Sequence, residues 1–191
     1  VSVFTPKIVK LRDGAAITLR SPEHDDAARL LDYLDVVRKE TQFLMWGPGD
    51  DLPDLEFEQK WIDDRRADDG GVTVVAEVDG HIVSICGVDR QGPFGGVRHS
   101  AVLGISILQA WCGRGLGTLL MNELIGYVQG CPDLDVLELG VFSDNGRAIR
   151  LYERLGFEQT GRRRWRIKRE GRYMDELIMS RWVGAPEASS V

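Results

Sequence analysis

The stretch Ile107-Leu108-Gln109-Ala110-Trp111-Cys112-Gly113-Arg114-Gly115-Leu116-Gly117-Thr118 joins two apolar runs of different period. Before it, His99 to Leu108 reads as a mostly apolar, central strand. After it, Leu116, Leu119, Leu120, Leu124 and Val128 recur at helical spacing. Glycines at such a junction let backbone amides approach a ligand closely. The helix start behind them adds unpaired N–H groups and the positive end of a dipole. That combination cradles phosphates, although the same glycines also serve in plain turns. No Gly-Lys-Ser/Thr follows, so this is not a P-loop. Three or four strands precede it, so it is not the first turn of a dinucleotide-binding βαβ unit.

Working outward, Asp79-Gly80 separates the apolar-rich runs Val72–Val78 and His81–Val88, a strong hairpin signal. Ala15 to Arg20 reads as a first strand. Ser21-Pro22-Glu23 then starts a helix, with Ser21 as its cap and Ala27, Leu30, Leu31, Leu34 and Val37 as its buried stripe. Thr41 to Pro53 is a loop, and Leu55 to Arg66 is a second helix. Beyond the glycine-rich helix come a strand from Asp135 to Val141 and a short helix from Asn145 to Leu155, closed by Gly156. Two last strands, Phe157–Lys168 and Arg172–Val183, flank Glu170-Gly171. The expected fold is mixed α/β, a mostly antiparallel sheet of about seven strands with about four helices. Residues 1–183 form one domain, and 184–191 a flexible tail.

The chain has 191 residues, 43% apolar and 28% charged, enough for one globular core. Its net charge of -6 argues against a nucleic-acid binder. No apolar run is long enough to cross a bilayer, and Val1 to Lys10 does not read as a signal peptide. The start at Val1 suggests trimmed or processed numbering. Three scattered cysteines, Cys86, Cys112 and Cys131, imply no disulfide framework and a reducing, cytoplasmic setting. His24, His81 and His99 form no metal-binding motif, so no metal is expected.

A second signal is Asn145 to Phe157, reading Asn-Gly-Arg-Ala-Ile-Arg-Leu-Tyr-Glu-Arg-Leu-Gly-Phe. Asn145 and Tyr152 stand two helical turns apart on one face, ~10 Å along the axis. They suit an extended ligand. Taken in isolation, they read first as a helix cap and a core aromatic with a satisfied hydroxyl.

Taken together, the two segments resemble the GNAT (GCN5-related) N-acetyltransferases, and the resemblance covers about residues 15 to 183. It implies direct acetyl transfer from acetyl-CoA to a primary amine of a small molecule or peptide. In such enzymes the cofactor lies in a V-shaped opening between two strands. The resemblance puts the pantetheine arm along Ile105 and Ile107, and the pyrophosphate on Gly113, Arg114, Gly115, Gly117 and Thr118. Asn145 corresponds to a contact to the cofactor arm, and Tyr152 to the acid that protonates the departing thiolate. The family places Gln or Arg where Cys112 stands, so any side-chain contact from that place is altered. An acetylated Cys112 is conceivable but unneeded, since direct transfer requires no nucleophile. A non-catalytic acyl-CoA-binding module with the same fold is the alternative.

A general base is harder to find. Glu138 is the best placed carboxylate, with Glu40 and His99 behind it, against an ordinary ion-paired strand residue. Asp50, Asp51, Asp54, Glu56 and Glu58 lie between the first two helices. They would attract a cationic amine, or simply form a solvated face. The arginines from Arg162 to Arg172 crowd the final hairpin, which reads as exposed or as the border of a partner subunit in a homodimer.

Overall fold

The structure, a computed structural model, describes residues 3–92 and 94–184. Eight strands and four α-helices alternate along the described chain as a mixed α/β fold with a mostly antiparallel sheet. One strand more is present than the sequence suggests. The chain divides into two compact units. One holds the chain up to Asp89 with Gly104–Leu120, the other Arg90–Leu103 with the chain from Met121 onward.

In the first unit, β1 (Lys7–Lys10), β2 (Ala16–Arg20), β3 (Gly71–Val78) and β4 (His81–Arg90) are successive antiparallel neighbours. Asp79 and Gly80 both have positive φ, 48° and 80°, which is the backbone an Asp-Gly hairpin turn demands. β5 (Ser100–Ile107) is the next neighbour of β4, and its second half belongs to this unit. α1 (Ala27–Glu40) and α2 (Leu55–Ala67) bury Ala27, Leu30, Tyr33, Val37 and Ile62 with Val75 and Ile82. Tyr33 takes the deep place expected of Leu31 and Leu34, which are only partly buried.

Entry into α1 also differs from expectation. The Ser21 hydroxyl does not cap a helix; it accepts from Phe4 N–H at 2.9 Å and donates to the Thr73 carbonyl at 2.9 Å. A single 3-10 turn, His24–Asp26, leads in instead, with Glu23 and Asp26 forming a capping box. Asp26 is 1% exposed yet charged, because Arg20 grips both its oxygens at 2.5 and 3.0 Å and Arg29 adds a further bond. Burial alone would raise its pKa. The Arg20 hydrogen bonds, the Glu23 amide and the two guanidinium charges outweigh burial and lower it.

In the second unit the neighbours run from the first half of β5 to β6 (Val136–Phe142), β8 (Arg172–Trp182) and β7 (Glu158–Arg169). The β5–β6 ladder is parallel, and the other pairs are antiparallel. Glu170 and Gly171, at φ 47° and 78°, repeat the turn chemistry of Asp79-Gly80. β7 is irregular between Arg163 and Ile167, where Trp165 has φ 54° and donates its N–H to Asp175 Oδ1 at 2.8 Å. α4 (Gly146–Arg154) ends in Gly156 at φ 79°. α3 (Leu116–Gln129) belongs to this unit from Met121 onward, where it buries Met121, Leu124, Ile125 and Val128; its first turn, with Leu116 and Leu120 buried and Leu119 partly covered, belongs to the first unit. Of the expected tail, Gly184 donates its amide to the Asp135 carbonyl at 3.2 Å; residues 185–191 lie outside the described chain.

Candidate active site

The sequence-predicted residues fall into two groups, one in each unit. In the first unit the end of β5 is fixed by three contacts. The Tyr33 and Ser106 hydroxyls meet at 2.8 Å, Ser84 donates to the Ser106 carbonyl at 2.6 Å, and Leu108 N–H donates to the Val83 carbonyl at 3.0 Å. The parallel ladder between β5 and β6 spans Ser100–Val102. Ile105 and Ile107 lie past it, both half-buried. Sequence reasoning did not find the Tyr33–Ser106 pair; a buried tyrosine on a helical stripe was its only signal.

Gly113 and Gly115 adopt φ 81° and 91°, a left-handed backbone that other residues rarely take. They turn the chain into α3. Leu119 N–H donates to the Gly115 carbonyl at 3.1 Å, so the amides of Leu116, Gly117 and Thr118 precede the first helical bond and have no helical acceptor. A Cβ placed on Gly115 meets nothing within 4 Å, so the turn is open at that position. The Arg114 side chain is committed elsewhere. It bonds Asp13 at 2.7 Å and lies 4.1 Å over the Trp111 ring, and the Arg114 hydrogen bond lowers the Asp13 pKa. Cys112 is half-buried and directs its thiol to the Ile107 carbonyl at 3.8 Å.

In the second unit Asn145 is the N-cap of α4, its Oδ1 accepting from Ala148 N–H at 3.2 Å. That leaves the side-chain NH2 available. Tyr152, two turns on, is 8% exposed, and its ring packs on Phe157. Its hydroxyl has no hydrogen-bond partner among the described residues, and burial pushes its pKa up to about 12. The expectation of a satisfied core hydroxyl therefore does not hold. Glu138, on β6, is half-buried and accepts from Gln91 Nε2 at 3.2 Å.

The other base candidates are otherwise engaged or placed. Glu40 accepts Gln109 N–H at 2.8 Å, tying the end of α1 to the segment after β5. His99 is exposed, ahead of β5. Of the acidic stretch, Asp54 caps α2 through Phe57 N–H at 2.8 Å, and Asp50 accepts from Gly47 N–H at 2.6 Å. Glu58 departs from the solvated reading, being 5% exposed as a residue. Its spacing of four from Ile62 was the available signal, masked by the acids around it. Among the described residues no cluster of His, Cys, Asp and Glu could hold a metal, and no helix is long and apolar enough to cross a membrane.

Comparison with known proteins gives the family. The family model described as Acetyltransferase (GNAT) family matches residues 36–157. The chain is 36% identical over 120 residues to the L-amino acid N-acetyltransferase AaaT of Escherichia coli strain K12, covering 62% of this chain and 73% of that one. It is 34% identical over 116 residues to the N-alpha-acetyltransferase RimI of Mycobacterium tuberculosis, covering 59% and 67%. Among solved structures, a GNAT-family acetyltransferase from Streptococcus pneumoniae superposes with a TM-score of 0.81 at 28% identity, covering 88% of this chain and 99% of that one. The match takes in the glycine turn, Asn145 and Tyr152 together, and the chain belongs to the GNAT family of acetyltransferases.

Proposed function

We propose that this protein acetylates the primary amine of a small molecule or peptide, with Tyr152 as the acid that protonates the departing CoA thiolate. As a GNAT member it is an N-acetyltransferase that draws its acetyl group from acetyl-CoA. The observation that carries the reading is the turn at Gly113 and Gly115, which presents a row of helix-start amides to an anion. On this reading Gly113, Gly115, Gly117 and Thr118 take the diphosphate through their amides. Arg114 contributes its backbone, because its guanidinium already serves Asp13. The main chain at Ile105 and Ile107 pairs with the pantetheine arm, and the Asn145 NH2 meets that arm.

The chemistry of proton transfer suits Tyr152. A buried hydroxyl near pKa 12 stays protonated throughout the physiological range. A thiol taken out of water shifts in the same direction. Donor and thiolate are then matched more closely than their values in water suggest. Glu138 is the proposed base for the acceptor ammonium, with the Gln91 amide holding its carboxylate in place. Three free cysteines fit a reducing cytoplasm. Release of free CoA, measured with a panel of primary amines, tests the reading. Amine-dependent release is expected, and acetyl-CoA bound without release under any amine would refute it.

A further inference from the structure

In an extended strand, successive residues turn their main-chain N–H and C=O groups to opposite edges. The His99 carbonyl, one residue ahead of β5, accepts from Asp135 N–H at 2.8 Å and Val136 N–H at 3.1 Å, so odd-numbered residues face β6. The Ser100 carbonyl accepts from Gln91 N–H at 2.8 Å, and the Ser106 carbonyl from the Ser84 hydroxyl at 2.6 Å. With Leu108 N–H donating to the Val83 carbonyl at 3.0 Å, even-numbered residues face β4. Ile105 and Ile107 therefore turn their main chain to the edge whose ladder ends at Val102. There the Cys112 thiol makes a long bond, 3.8 Å, to the Ile107 carbonyl, which keeps a second lone pair.

The β4-facing edge is fastened at this same end by side-chain hydroxyls. Ser84, fully buried, supplies the bond to the Ser106 carbonyl. Tyr33, buried in α1, meets the Ser106 hydroxyl at 2.8 Å, and the Ile85 backbone bonds the same tyrosine oxygen. One helix and two strands thus meet at Ser106, the residue between Ile105 and Ile107. A strand end with a ladder on one side only is free to swing. Fastening that side fixes where the N–H and C=O groups of the other side point before a ligand arrives. We propose that Ser84 and Tyr33 are positioning residues for the cofactor, holding the open edge of β5 in place for the amides of the pantetheine arm. The proposal rests on the reading that this arm pairs with Ile105 and Ile107, and it adds residues that act through β5 rather than by touching the ligand.

The probe pair is CoA and 3′-phosphoadenosine 5′-diphosphate, which is CoA without its pantetheine arm and keeps the diphosphate. Both are titrated by calorimetry into wild type, Ser84→Ala and Tyr33→Phe. Wild type should bind CoA about tenfold or more tightly than the truncated ligand. Each variant should lose about fivefold in CoA affinity, the worth of one hydrogen bond, while binding the truncated ligand within about twofold of wild type. A purely structural role would not split the two ligands. A variant that melts lower yet binds both as wild type does, or that loses both equally, overturns the positioning role of that residue and leaves acetyl transfer standing. A wild type that binds CoA no more tightly than the truncated ligand removes the arm from β5, and this proposal with it. A wild type that fails to bind CoA overturns the acetyl-CoA reading itself.

Discussion

The Tyr152 and Phe157 rings pack with centroids 6.1 Å apart and planes tilted by 59°, so Phe157 holds the tyrosine ring while leaving its hydroxyl unbonded. Ring and hydroxyl thus have separable roles. Tyr152→Phe keeps the packing and should melt within a few degrees of wild type, while turnover falls ~10²-fold. Near wild-type turnover, with chemistry limiting the rate, would leave Tyr152 a packing residue. Because its pKa lies near 12, the pH–rate profile should show no limb from this group between pH 6 and 10.

Gly115→Asp tests the anion cradle. The open space at its Cβ admits the side chain, although φ 91° imposes a strain of about 1 kcal/mol. The new carboxylate would sit where helix-start amides await an anion. CoA affinity should drop about tenfold or more by calorimetry, with the fold retained by circular dichroism. Unchanged affinity would remove the turn from the cofactor site.

Cys112→Ala should keep most of the turnover. The thiol's hydrogen bond, to the Ile107 carbonyl, is long and weak. Rapid-quench mass spectrometry should find no acetyl group on Cys112. An acetyl adduct formed and discharged at the turnover rate would reverse this prediction.

Asp26 and Glu58 should pull the acid stability profile in opposite directions. The Asp26 pKa is lowered in the folded protein, so its contribution is present above the unfolded value of ~3.9 and is lost as pH falls through the folded one. Asp26→Ala leaves Arg20 and Arg29 without their shared partner and should cost about 3 kcal/mol at pH 7 in urea melts. The Glu58 pKa is raised, so its contribution is fully present below the unfolded value of ~4.3 and is lost as pH rises through the folded one. Glu58→Gln should therefore be more stable than wild type at pH 7, with the gap closing toward pH 4. A gap that widens on acidification would show that Glu58 is ionised and partnered.

What could be read from the chain followed from how local its causes are. Asp79-Gly80 and Glu170-Gly171 announce hairpins because both residues of such a turn need positive φ, a condition few residue pairs meet. The glycine turn was legible for the same reason, and Asn145 as a helix cap because its side chain bonds an amide three residues on. Lys7–Lys10 escaped because its residues are mostly exposed, with Ile8 at 72%, so no inward alternation marks it as a strand. Ser21 misled because its hydroxyl serves a contact 52 residues away at Thr73 rather than the adjacent helix. Glu58 was hidden by composition, since only packing separates a buried acid from four solvated ones around it.

The irregular, arginine-bearing course of β7 bears on how this protein meets copies of itself. β7 ends the strand order of its unit, with β8 as its neighbour there. Arg162, Arg163, Arg164, Arg166 and Lys168 are exposed along it, and Trp165 breaks its regular run with a left-handed backbone. Arg162 pairs with Asp175, and Arg163 and Arg166 with Glu176, so an incoming strand would meet side chains already tied to β8, over a ladder interrupted at Trp165. Charge and kink together make this border a poor template for sheet growth, which guards newly made chains against stacking edge to edge while they fold.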